Sequence, residues 1–314
     1  MRLAGLAALT GLIAYAIAIA PNLAWAFLAI SMLPAAIYGR SVINADGSAL
    51  AAAMVVTALW LRGILSPQLR LVGRQSFWMM LCALTKAPNL VFVLLELMPL
   101  RGMRARRWHL RALTILPAIA IALLWTFSSG ADTATWRMVE STGQNLDAFN
   151  PAPKLTYLLD HPLHFPTAVI GALHEKDLGE LWRQVIGVLG LFDTVLQRWV
   201  YPTVSVLLLC TFLTRLPLAP AARYQVATAA GITVLAYIAV VYFISYLVFT
   251  PFDASIVWGV QGRYFVPILS LAAIVVATVV NRAPGERLSA ALAISCAVLS
   301  GGASIEAILK ADWI

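Results

Sequence analysis

Ten apolar runs, separated by short polar segments, set what this chain can fold into. They fall near residues 3–20, 23–39, 48–63, 76–86, 88–100, 109–129, 198–214, 225–249, 264–281 and 285–304. A helix that crosses a bilayer needs about 20 mostly apolar residues, and most of these runs approach that length. In lipid no water satisfies the backbone N–H and C=O groups, so each crossing segment must satisfy them internally as a helix or in a closed barrel. Barrel strands would read as short alternating segments, and the runs do not alternate.

Composition agrees. The 314 residues are 61% hydrophobic and 11% charged, with mean hydropathy +0.85. Soluble domains are about 45–50% apolar and about 25% charged. This surplus excludes a soluble enzyme, a disordered chain and a nucleic-acid-binding domain. The expected architecture is all-α: a polytopic transmembrane helix bundle of about ten spans, forming one membrane-embedded domain over residues 1–314. Its first partner is the lipid bilayer.

The formal net charge of +8 is not a nucleic-acid footprint, because of where the arginines lie. Segments 62–74, 101–111, 215–223 and 282–287 together carry twelve arginines and a single acid, Glu286. Under a ten-span reading all four share one side, which the positive-inside rule makes cytoplasmic. The other side then collects twelve of the fourteen acids, eight of them in the polar stretch 130–197. That stretch is expected to form an outward loop region with short surface helices. Arg2 runs against this orientation, because a basic residue before an apolar run favours an inside N-terminus. Within 76–100, a turn at Thr85-Lys86-Ala87-Pro88-Asn89 is favoured over one continuous helix. Pro88 biases Ala87 away from helical backbone, and a mid-membrane lysine is costly.

Four polar clusters at outward span ends could carry chemistry. Asn44-Ala45-Asp46-Gly47 offers either a helix cap, at Asp46 or Ser48, or a carboxylate usable as a base or cation ligand. Lys86, with Asn89 nearby, is either a snorkelling lysine or a fixed cation for a phosphate. Asp193, in Gly190-Leu191-Phe192-Asp193-Thr194, is a helix cap or a ligand-facing carboxylate. In Gln261-Gly262-Arg263-Tyr264, Arg263 offers a planar fork for phosphate or carboxylate, and Gln261 and Tyr264 add donors and acceptors. The alternative there is an interfacial Arg–Tyr anchor. His161 and His164 lack a third ligand at convincing spacing. The three cysteines, Cys82, Cys210 and Cys296, lie inside apolar runs as small hydrophobes. No nucleotide or dinucleotide motif is present, so no organic cofactor is expected; a divalent cation is compatible with Asp46.

In this order the clusters resemble a bacterial family of membrane proteins, domain of unknown function 2142, itself similar to the GT-C glycosyltransferases. The matching stretches are Leu33-Pro34, Asn44-Ala45-Asp46-Gly47, Thr85-Lys86-Ala87-Pro88, Gly190-Leu191-Phe192-Asp193-Thr194 and Gly259-Val260-Gln261-Gly262-Arg263-Tyr264-Phe265-Val266-Pro267. The family pattern usually begins with a further span and an acidic outward loop, where GT-C enzymes keep their catalytic carboxylate. Here no acid precedes Asp46. The family's tryptophan is Phe192, and a following proline is missing. The resemblance implies a membrane glycosyltransferase of the bacterial inner membrane. Its donor would be a sugar on a polyprenyl phosphate, and its acceptor an envelope glycan or lipid. Asp46 would be catalytic, with Lys86, Asn89, Asp193, Gln261, Arg263 and Tyr264 binding substrate. The alternatives are a transporter or lipid flippase, or a non-catalytic membrane subunit.

Overall fold

The structure, a computed structural model, describes residues 2–42, 44–66, 72–97, 108–129, 151–175, 178–190, 193–251 and 254–312. The basic segment 101–107 and the acids Asp132, Glu140, Asp147, Asp177 and Asp253 lie outside the described residues.

Among the described residues, each of the ten apolar runs is mostly helical. The first half holds α1 (Arg2–Ile19), a single 3₁₀ turn (Pro21–Leu23), α2 (Ala24–Ser31), α3 (Pro34–Ser41), α4 (Ala45–Leu65), α5 (Val72–Thr85), a longer 3₁₀ segment (Ala87–Val93) running into α6 (Leu94–Leu97), and α7 (Trp108–Ser129). Three short helices follow in the polar stretch: α8 (Pro151–Asp160), α9 (His164–Glu175) and α10 (Leu178–Gly187). A two-stranded ribbon then pairs β1 (Val188–Leu189) antiparallel with β2 (Thr194–Val195). The chain ends in α11 (Val200–Thr211), α12 (Pro220–Phe249), a second 3₁₀ segment (Gly262–Ile268), α13 (Leu269–Val280) and α14 (Glu286–Asp312).

Five helical segments among the described residues are long and apolar enough to cross a membrane, six if the bent pair Pro21–Ser31 and Pro34–Ser41 counts as one. Ala87–Leu97, Ala112–Trp125 and Val200–Thr211 are apolar but shorter. The chain is therefore an all-α membrane protein, with fewer full-length crossings than runs among its described residues. Large apolar side chains such as Leu124, Leu235 and Val298 project outward. In water so much exposed apolar surface would drive association; in a bilayer it meets lipid.

α4 is the central helix. Ala49, Ala51, Ala52 and Ala53 let neighbouring backbones approach closely, as small residues do between membrane helices, and all four are buried. Thr57 and Ser270 share a buried hydroxyl hydrogen bond at 3.1 Å between α4 and α13. Its 21 residues span about 31 Å at 1.5 Å per residue, close to the bilayer core.

The two ends of α4 carry different groups. At its C-terminal end Arg62 and Ser66 border a cleft with Ile19, Asn22 and Pro217, so these residues meet at one end of the bundle. Asp46 lies at the other end. α2 starts at the arginine end, and α3 breaks from it by 76°. Buried Arg40 pins the break, donating to the Ser31 carbonyl at 2.5 Å and the Ala36 carbonyl at 3.2 Å. A cation on the last carbonyls of α2 offsets that helix's dipole.

Candidate functional site

α4 starts where Asn44 Oδ1 accepts the Asp46 N–H at 3.0 Å. Asn44 is therefore the cap, not Asp46 or Ser48; the Ser48 hydroxyl instead donates to the Ala45 carbonyl at 3.0 Å. This leaves the Asp46 carboxylate out of the capping bond, in a first turn whose dipole favours negative charge. α3 crosses directly over this turn. A Cβ on Gly47 would stand 2.5 Å from the Gly39 carbonyl oxygen, so only glycine permits the crossing.

Lys86 occupies the turn between α5 and the first 3₁₀ segment, as the Pro88 argument expects. Its Nζ pairs with Asp46 Oδ1 and sits 4.1 Å from the Tyr264 ring centroid, a cation–π contact. Arg263 Nε reaches to 3.6 Å of Asp46 Oδ2 and donates to Gln261 Oε1 at 2.8 Å. The side chains of Asp46, Lys86 and Arg263 are 18%, 20% and 27% exposed. Partial burial weakens solvent screening, so these charges feel one another more than surface pairs do. Burial lowers the Lys86 pKa, Asp46 opposes the shift and Arg263 adds to it.

The second 3₁₀ segment is seated on α10. Gln184 Oε1 accepts the Gly262 N–H at 2.7 Å, and a Cβ on Gly262 would fall 2.0 Å from the Leu181 carbonyl oxygen. Gln261, Gly262, Arg263 and Tyr264 thus form one docked unit. Beside it a small cleft opens, lined by Tyr38, Gly39, Asp46, Val188, Arg263 and Val266. Its free volume of about 20 Å³ suits one water or a hydroxyl group.

A family model described as predicted membrane protein (DUF2142) matches residues 1–272. The chain belongs to this family. The matched span includes the whole Asp46 cluster. No curated protein and no solved structure matches the chain.

In this DUF2142 member a polar network lies under the ion cluster. Asn89 Nδ2 donates to Thr85 Oγ1 at 2.9 Å and to the Ala49 carbonyl at 3.3 Å. The Tyr237 hydroxyl stands 3.1 Å from both Asn89 Oδ1 and the Tyr264 carbonyl, and its one proton is shared between them. Asn89 therefore braces the Lys86 turn from below. Tyr237 and Gln184 escape a reading by sequence: Tyr237 sits within an apolar run, and Gln184 within a polar stretch. The one available signal was a phenolic hydroxyl at bilayer depth, which needs a partner.

Asp193 sits elsewhere. It is exposed at the β1–β2 turn, accepts from Thr194 Oγ1 at 3.3 Å and does not line the Asp46 cleft. Nor does it cap a helix, since α11 begins after Trp199. His161 and His164 have aromatic partners. His161 stacks on Tyr157, and His164 Nδ1 lies 2.8 Å from the Tyr246 hydroxyl. Lys154, fully buried, donates to the Leu247 carbonyl at 3.0 Å and to that of Thr250, and so fastens α8 to the end of α12. No group of three His, Cys, Asp or Glu gathers among the described residues. One carboxylate flanked by two cations, among the described residues, does not fit a divalent metal.

Proposed function

We propose that this protein is a membrane glycosyltransferase of GT-C type that takes a sugar from a polyprenyl-phosphate donor. One observation carries the reading: a single carboxylate, Asp46, meets two cations, Lys86 and Arg263, at one end of the central helix. The chemistry needs both kinds of group. The acceptor oxygen attacks the anomeric carbon as the carbon–oxygen bond to phosphate breaks. The acceptor proton passes to Asp46. The phosphate leaves with the bonding electrons, and Lys86 and Arg263 stabilise the growing negative charge.

Without donor, Asp46 balances the two cations. A bound phosphate takes over that role and leaves the carboxylate facing the small cleft, where an acceptor hydroxyl fits. Asn89 and Gln261 orient the cations, and Tyr264 supports the Lys86 ammonium. Asp193 has no place in this arrangement unless the β1–β2 turn moves, and we assign it no step. The remaining elements of the proposal are about ten bilayer passages, with the short helices counted as partial ones, the cluster and residues 130–197 facing outward, and residence in a bacterial inner membrane. The acceptor is an envelope glycan or lipid.

A test is the affinity of the purified protein for a polyprenyl-phosphate sugar. Arg263→Lys keeps the charge and loses the fork. A lost charge-assisted contact of about 1.5–3 kcal/mol weakens binding roughly ten- to a hundredfold. Wild-type affinity in a folded Arg263→Lys protein would instead make Arg263 an interfacial anchor.

A transporter or flippase draws support from one feature, the 76° break between α2 and α3, because broken helices line many transport sites. Such sites lie at mid-membrane, whereas the Asp46 cluster lies at a helix end. Glu96 lies away from that cluster. Its neighbour Leu95 accepts from Trp60 Nε1 at 3.0 Å, towards the Arg62 end of α4.

A further inference from the structure

On the other face of α10 from the Asp46 cluster, a groove of about 650 Å³ runs between α10 and α11. Gln184 and Leu181 of α10 face the Gly262 segment, while Trp182 and Arg183 face the groove. Arg198, Tyr201, Ser205 and Val206 complete its working surface.

The groove has a fixed polar rim. The Trp182 indole N–H donates to Ser205 Oγ at 2.7 Å, and Ser205 donates in turn to the Tyr201 carbonyl at 2.7 Å. The Tyr201 hydroxyl donates to the Gly187 carbonyl at 3.2 Å and accepts the Leu196 N–H at 3.0 Å. The aromatic walls are therefore braced by hydrogen bonds on both helices. Glu180 holds the Arg183 guanidinium at 2.5 Å, one turn along the same helix. Arg198 is exposed just before α11.

Below the rim the surface turns apolar. Val206 is 60% and Leu209 47% exposed on α11, a helix of a membrane protein whose outward apolar side chains meet lipid. Two guanidinium groups above such a strip, with a tryptophan at the boundary, match an anionic head over a hydrocarbon tail. Arginine forks suit phosphate oxygens, and tryptophan favours the headgroup level.

We infer that this groove binds an anionic phospholipid, with the phosphate on Arg198 beside the Arg183–Glu180 pair and one chain lying along Val206 and Leu209. The occupant is a lipid and not free phosphate, because the arginines stand over an apolar strip that a soluble anion would leave exposed. The inference does not depend on what the Asp46 cluster does.

The test uses the full-length protein in nanodiscs of mixed phosphatidylglycerol and phosphatidylcholine, with retained lipid counted by native mass spectrometry. Wild type should retain phosphatidylglycerol in preference to phosphatidylcholine. Arg198→Gln changes an exposed side chain and should fold; its retention should fall about ten- to a hundredfold, the loss of one charge-assisted contact. Val206→Asp places a charge on the tail path and should lower retention without touching the arginines. Excess inorganic phosphate should leave retention unchanged. Equal retention by wild type and Arg198→Gln would overturn the site. Displacement of the lipid by inorganic phosphate alone, or retention unaffected by Val206→Asp, would overturn the lipid assignment.

Discussion

Two buried polar side chains outside the ion cluster give measurable consequences of their own. Burial pushes the Lys154 pKa from 10.5 down to about 8. Between those values the unfolded chain keeps the proton and the folded protein has lost it, so stability rises with pH across that window. Below about pH 8 both states hold the proton and the contribution is flat. Wild-type minus Lys154→Met melting temperature should therefore climb from pH 8 to 10.5; a constant difference would contradict the burial argument. Tyr237 is the second case. Tyr237→Phe leaves Asn89 Oδ1 and the Tyr264 carbonyl without their shared donor inside the bundle. The cost of such an unsatisfied group is about 1–3 kcal/mol, which thermal unfolding in detergent would register. An unchanged melting temperature would mean that water or a neighbour replaces the hydroxyl.

Among elements, the two seven-residue 3₁₀ segments matter most, because each directly follows a candidate residue, Lys86 or Gln261. Ala87–Val93 follows Lys86, and Gly262–Ile268 carries Arg263 and Tyr264. The first was legible in the sequence, since Pro88 and the cost of a mid-membrane lysine both pointed to a turn. The second was legible only as a motif. Why Gly262 must be glycine depends on α10, a helix some 80 residues earlier whose Gln184 and Leu181 it touches. Gly262→Ala forces a Cβ against the Leu181 carbonyl, and overpacking of this kind costs about 1–3 kcal/mol. Its melting temperature should fall; a wild-type value would show that α10 yields easily. The helix caps were misread for a local reason. Asn44, Asp46 and Ser48 are all good capping residues within five positions, and which one caps depends on where α3 lets α4 begin. The apolar runs gave the helices themselves, but run length did not tell a full crossing from a short helix such as Val200–Thr211.

Over the whole molecule, charged groups gather at the two ends of the bundle axis. Asp46, Lys86 and Arg263 hold one end of α4, and Arg62 meets the 217 region at the other. Cysteine substitution in a cysteine-free background reads the orientation. Ala221→Cys should react only with reagents that reach the cytoplasm, and Leu163→Cys with impermeant reagent on intact cells. The reverse pattern would invert the bundle and move the Asp46 cluster to the cytoplasmic face. We propose that Asp46 accepts the acceptor's proton during sugar transfer. The most direct measurement is transfer from a panel of radiolabelled polyprenyl-phosphate sugars in membranes containing wild type or Asp46→Asn. The account predicts wild-type transfer that falls about 10²- to 10⁴-fold in the variant, the usual contribution of a general base. Transfer that persists undiminished in Asp46→Asn, or a correctly inserted wild type that transfers none of the sugars, would contradict it.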